Sequence, residues 1–315
     1  AGALQGSVPE FLDHGHQVTS ALLFGPMSET RPAQRPYGFV DHFRVLDEQA
    51  ANDPFELFDV IRRIENVLAS RRYEFVNLSI GPNLCVEDDD VHAWTAFLDS
   101  HLQLGDVLLT AAVGNNGRQD RASGNARIQV PSDSVNALSV GAASSNSAQW
   151  TRADYSAVGP GRSPGIVKPD LVAFGGTLAE PFLTVDFNGQ LVQTAGTSFA
   201  SPMVLRTAAG VRATFGNQLS PLAIRALLIH SAEPIDSRPC VETGWGRAPH
   251  ALESIVVCPD GEVRVVYQGD LFPGRYLRAL IPLPAEQVIG FVEIRATLAF
   301  ASEVDPADPS NYTRS

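Results

Sequence analysis

Cysteine is nearly absent: Cys85, Cys240 and Cys258 are the only three in a chain of 315 residues. An odd, sparse count excludes a disulfide framework, and no Cys-x-x-Cys or His/Cys spacing points to zinc. Cys240 and Cys258 could pair, although free structural thiols fit the count better. Long apolar runs are missing, so no segment has the length of a bilayer-spanning helix, and no signal peptide is visible, which leans towards a cytoplasmic location. Basic charge is in deficit. With 23 Lys and Arg against 35 Asp and Glu, the formal charge is −12 and the pI about 5.0. That balance argues against nucleic acid and against an anionic membrane as partners; its plain meaning is solubility. Charged residues make up only 18% of the chain while apolar ones reach 44%, so a sizeable core can be buried. Internal repeats and low-complexity tracts are also lacking. The length suits one large α/β domain with a smaller appendage.

What is present is an alternation of helix and strand signals through roughly the first 230 residues. Leu57, Phe58, Ile61, Ile64, Val67 and Leu68 recur at helical spacing, with Asp53 placed to cap and Pro54 to fill the first turn. Phe75–Ile80 is a short apolar run stopped by Gly81-Pro82, as a buried strand would be. Val91, Trp94, Leu98 and Leu102 share a helix face. Val107–Val113 is a second buried strand, ended by Gly114-Asn115-Asn116-Gly117, and Ala137–Ala142 a third. This order implies an α/β fold, a three-layer domain with a parallel central sheet between helices. Sites in such sheets gather at the carboxyl ends of the strands. From about residue 259 the period becomes two, at Val263, Val265 and Tyr267 and again from Val292 to Phe300, which predicts a small C-terminal β appendage. The domains expected are therefore 1–258 and 259–315.

Three segments carry chemistry. Gly196-Thr197-Ser198-Phe199-Ala200-Ser201-Pro202 opens an Ala-rich helix; a serine there has an unpaired backbone N–H beside it and the positive end of the dipole behind it. An oxyanion forming next to Ser198 would be stabilised, and a plain N-cap serine is the structural alternative. Small Ala200 and Ser201 allow close packing, and Pro202 is expected within the first turn, where its missing N–H is not needed. His14-Gly15-His16-Gln17-Val18 places His14 at the opening of a buried helix. Ala111-Ala112-Val113-Gly114-Asn115 ends a strand where an asparagine can aim its NH₂ at a substrate carbonyl, or form an ordinary Asn-Gly turn.

Together, and in this order, these segments resemble the subtilisin-like serine proteases (subtilases), as do Asn77-Leu78-Ser79-Ile80-Gly81, Tyr155-Ser156, Lys168-Pro169-Asp170 and Gly244-Trp245-Gly246. The resemblance runs from about residue 12 to 255. It implies an endopeptidase in which Ser198 is the nucleophile, His14 the base and Asn115 the oxyanion donor, while Ser79, Ile80, Gly81, Ala112, Val113 and Gly114 wall the pocket for the residue before the cut. Those walls carry no charge and suggest an apolar or aromatic side chain there. Substrates would be peptides or proteins.

Histidine before serine is not the order of an α/β-hydrolase, and no Gly-x-Gly-x-x-Gly follows the first strand to suggest a dinucleotide site. The chain departs from the family pattern in three places. His16 stands where Thr or Ser is usual. The loop from Asp47 to Asn52 lacks the glycines often found along the substrate channel. Only thirteen residues precede His14, and none makes the apolar strand that carries the family's aspartate; Asp13, adjacent on the backbone, is misplaced for the task. The resemblance therefore implies a partner segment, an N-terminal piece or prosegment, bearing the aspartate. Its absence would leave a hydrophobic sheet edge. Many subtilases bind calcium, but Glu87-Asp88-Asp89-Asp90 lacks alternating ligand spacing and reads as helix capping, so no metal or cofactor is expected. A non-catalytic binding or scaffold module of the same fold is the alternative.

Overall fold

A computed structural model describes residues 4, 6–52, 57–70, 72–236, 238–272, 274–276, 278–280 and 290–313. Helix α1 runs over Pro9–Phe24. Pro9 suits a first helical position, and Gly25, at φ +71°, ends the helix with its N–H on the Ala21 carbonyl at 2.9 Å. His14 thus lies in the second turn rather than at the opening. The stretch expected as a loop from Asp47 is instead a short helix, α2 (Glu48–Asn52). Asp47 explains it: its carboxylate accepts the Ala50 N–H at 3.1 Å and pairs with Arg63 at 2.7 Å. Helix α3 (Phe58–Ala69) buries Val60, Ile61, Ile64 and Leu68 while Phe58 faces outward; Asp53 and Pro54 lie outside the described residues. Strand β1 (Phe75–Leu78) leads to α4 (Ala93–Leu102). The cap of α4 is His92, whose ring accepts the Trp94 N–H, and not the acidic run before it; Asp88 is paired instead with Arg127 at 2.6 Å.

Strands β2 (Leu108–Ala112), β3 (Leu138–Ala143) and β4 (Leu171–Phe174) complete a sheet of order β1-β2-β3-β4, every pair parallel. Beyond it come a hairpin, β5 (Phe182–Val185) with β6 (Leu191–Thr194), and helices α5 (Thr197–Phe215), α6 (Pro221–His230) and α7 (Glu253–Val256). The hairpin was missed from the sequence, although Asn188-Gly189 between two apolar runs is a turn signal.

Both sheet faces are covered. Leu108, Val140 and Leu171 pack towards α5 and α6, while Leu109 and Ala111 pack towards α3 and α4. Strands buried on both faces read as continuous apolar runs, which is why β2 and β3 were legible, while β4 was not read as a strand. The Lys168-Pro169-Asp170 segment is structural. Lys168 Nζ reaches Asp170 Oδ2 at 2.7 Å, and that same oxygen accepts the Ser139 N–H at 2.7 Å, joining the starts of β3 and β4. Burial pushes the Asp170 carboxyl up, but Lys168 and Arg225 outweigh it and hold it below the ordinary range.

The sheet's two edges differ. Residues 246–248 run along β4, with Val172 N–H on Gly246 O at 3.0 Å and Ala248 N–H on Val172 O at 2.8 Å. The outer edge of β1 has no such ladder among the described residues and faces a cavity. From 259 to 300 the alternating runs also form no ladder among the described residues, and their apolar side chains are exposed. Alternation says which side chains would share a face, but a strand also needs a backbone partner, and none lies beside these among the described residues. Residues 301–313 return to the main domain, where Tyr312 is fully buried, donates to Asp99 Oδ2 at 2.8 Å and lies under the Arg162 guanidinium.

Candidate active site

Ser198 is the second residue of α5, so its backbone N–H is among those that a helix start leaves unpaired. Pro202 lies within this helix, in its second turn rather than the first. There its missing N–H matters, because it would have bonded the carbonyl four residues back, that of Ser198. The Ser79 hydroxyl replaces it, donating to Ser198 O at 2.9 Å. Asn77 Nδ2 donates to Ser79 Oγ at 3.0 Å, while Asn77 Oδ1 accepts from Ser201 Oγ at 2.8 Å and Thr110 Oγ1 at 3.1 Å. The start of α5 is thereby fastened to β1 and β2. The sequence marked Asn77 only as the first residue of the Asn77-Leu78-Ser79-Ile80-Gly81 segment, a polar residue inside an otherwise apolar strand, and its part in this network was missed.

Asn115 leaves the end of β2 through Gly114, whose φ of +104° favours glycine. The Asn115 carbonyl oxygen accepts both the Thr197 N–H at 2.9 Å and the Thr197 hydroxyl at 3.1 Å. Its oxygen so held, the side chain turns Nδ2 towards Gly196, 3.5 Å from where a Cβ on that glycine would stand. Thr197, whose neighbour drew the attention, is the residue that sets this direction.

His14 faces Phe199, the neighbour of Ser198, edge to face with ring centroids 6.0 Å apart. His16 points elsewhere and stacks on Phe187 at 4.7 Å. Burial lowers the His14 pKa below its ordinary value, partly opposed by the charge of Asp13, so the ring is neutral at pH 7. Asp13 itself accepts from Gln17 Nε2 at 2.6 Å. Among the described residues no carboxylate hydrogen-bonds the His14 ring. The ring lines a cavity of about 530 Å³ that is also bounded by the outer edge of β1, by residues 40–46 and by α5. Asp41 is the one carboxylate lining it among the described residues, and its Oδ2 accepts from the Tyr73 hydroxyl at 2.6 Å.

The six wall residues fall on two neighbouring segments, Ser79–Gly81 after β1 and Ala112–Gly114 at the end of β2. Residues 129–131 link them: Gln129 N–H bonds Val113 O at 2.8 Å, and a Cβ on Gly81 would overlap Val130 O. The chain's Gly161-Arg162-Ser163-Pro164-Gly165 has the spacing of a nucleophile elbow but lies in a loop with no helix after it.

A helix-start serine and a clamped asparagine thus lie at the carboxyl end of a parallel sheet, with the half-buried His14 on α1 facing the residue next to that serine. The chain belongs to the subtilase family, whose model matches residues 4–251. Among solved structures it is similar to the prenylagaramide maturation protease PagA (23% identity, 80% of this chain and 85% of that one, TM-score 0.53) and to a lanthipeptide protease (20%, 78% and 75%, TM-score 0.57). It is also similar to the epidermin leader peptide processing serine protease from Staphylococcus aureus (20%, 63% and 54%, TM-score 0.50). None of the curated protein sequences matches it.

Proposed function

We propose that the chain is the Ser–His core of a serine endopeptidase. Ser198 Oγ attacks the scissile carbonyl, His14 takes its proton and returns it to the leaving amine, and water then releases the acyl group by the same steps. Asn115 Nδ2 and the Ser198 N–H hold the tetrahedral oxyanion. The substrate lies extended along the two wall segments, pairing backbone to backbone. The observation that carries this reading is the clamp on Asn115: with its oxygen held twice by Thr197, only donors remain to face the cleft.

The carboxylate that orients His14 is then supplied by a further segment of the protein, laid as a strand into the cavity beside β1. A non-catalytic module is the second reading, favoured by the lack, among the described residues, of a carboxylate hydrogen-bonded to the His14 ring. A fluorophosphonate probe separates the two. Labelling of the longest native form, lost in a folded Ser198→Ala variant, is expected. An unlabelled, folded native protein would establish the second reading.

A further inference from the structure

Four cationic side chains among the described residues are almost wholly buried: Arg162, Lys168, Arg206 and Arg247. Three of them face a carboxylate. Lys168 pairs with Asp170 at 2.7 Å, Arg162 with Asp133 at 3.4 Å, and Arg247 with Glu233. Arg206, only 5% exposed, pairs with none among the described residues. Its Nη1 donates to Leu23 O at 2.6 Å and its Nη2 to Gln34 Oε1 at 2.9 Å, with the guanidinium carbon 4.6 Å above the Tyr37 ring. Nε makes no hydrogen bond among the described residues. Leu23 O belongs to the last turn of α1, whose negative end offsets about half a charge. The remainder is uncompensated, and a buried charge without its counter-charge is costly.

Arg206 borders a second cavity, of about 630 Å³, at the carboxyl end of α1. That volume suits a small ligand. The cavity lies apart from the site above, since Arg206 is about 12 Å further along α5 than Ser198. Phe24, Met27, Phe174, Leu183 and Met203 give it apolar walls. Glu180, the one carboxylate lining it among the described residues, accepts the Asn146 N–H at 3.2 Å and is balanced by Arg31 in the same lining. We propose that this cavity binds a small carboxylic acid with an apolar body, its carboxylate held by Arg206. The inference does not depend on the function proposed above. One negative charge is what Arg206 lacks, and its free Nε–H offers a carboxylate oxygen a charge-assisted hydrogen bond. A phosphate dianion would set its second charge against Glu180, and an uncharged ligand would leave the guanidinium uncompensated. Arg206 also borders the cavity beside β1, so a carboxylate on an added strand is the rival partner. A bound acid would sit where Arg206 of α5 grips Leu23 of α1, joining the helices that carry Ser198 and His14.

The test uses 4-phenylbutyrate as probe and 4-phenylbutanamide as its uncharged isostere, titrated into the longest native form labelled at the methionine methyl carbon. Met27 and Met203 are the only methionines of residues 1–315, and both line this cavity. Their methyl signals, assigned with Met27→Leu and Met203→Leu, should shift saturably with the acid. The amide should bind at least about 10-fold more weakly, the scale of one hydrogen bond to a charged group. Arg206→Gln should weaken the acid by a similar factor, and Arg206→Lys, which keeps the charge, by less. The contrast of acid with amide needs no variant, so it stands even where loss of the bond to Leu23 unfolds the protein. Equal binding of acid and amide would overturn the inference. So would methyl signals that do not move, leaving the strand carboxylate as the partner of Arg206.

Discussion

Asn115 and His14 show how single residues acquire roles from neighbours distant in sequence. Asn115→Ala is expected to lower kcat by about 10²–10³ with little change in KM, the cost of one lost oxyanion donor in a subtilisin. Thr197→Val keeps the backbone contact to Asn115 but removes the hydroxyl one, so its effect should fall on kcat in the same direction and be smaller. A pure KM effect in steady-state kinetics would make Asn115 a binding or turn residue. For His14 the sign follows from burial. Its folded pKa lies below the 6.5 of a free imidazole, so the neutral form persists through pH 7 and its protonation comes only at pH values under 6.5. The native state binds this proton less readily than the unfolded chain, and its contribution to stability is lost as pH falls below 6.5. An NMR titration of the His14 ring in Ser198→Ala protein reads the value directly, and a pKa above 6.5 in residues 1–315 would refute the assignment. Ser198 and His14 were legible because local sequence sets a helix around each, with small residues beside the serine. The part of Thr197 was not, since its partner Asn115 is set by tertiary approach.

At the level of elements, α5 carries a proline where a helix cannot absorb one without help. The Ser79 hydroxyl supplies the donor that Pro202 lacks. Ser79→Ala should therefore leave the Ser198 carbonyl without its partner and cost about 1–3 kcal/mol in urea unfolding. In a Pro202→Ala background the helix recovers its own N–H, so the same substitution should cost less, by a coupling of at least about 0.5 kcal/mol. Equal costs in both backgrounds would show that the hydroxyl and the proline act independently. Strands β2 and β3 were readable because each is an apolar run buried on both faces, whereas β4, no less apolar, was not read as a strand. The runs after residue 259 carry an equally regular alternation, yet lie exposed without a ladder among the described residues. Periodicity fixes the faces of an element; only a neighbouring backbone makes it a strand.

The whole molecule is asymmetric about its sheet. The β4 edge is closed by residues 246–248, whereas the β1 edge opens on the cavity that His14 also lines. A parallel edge with no ladder partner among the described residues and with apolar walls is a template for one more extended segment, and a strand laid there would run past His14. If that strand carries the orienting carboxylate, residues 1–315 alone should bind fluorophosphonate slowly and turn over peptides at a level about 3 × 10⁴ below the longer protein, the factor seen when a subtilisin loses only this aspartate. The two forms should also differ in sheet protection: amide exchange at Phe75–Leu78 should be fast in residues 1–315 and slow once the strand is in place. Asp41, the carboxylate already lining the cavity and held by Tyr73, provides the decisive control. Asp41→Asn should leave the turnover of the longer protein unchanged. If residues 1–315 prove fully active by themselves and Asp41→Asn abolishes that activity, the carboxylate comes from within the chain. His14 would then be oriented by a loop rather than by an added strand.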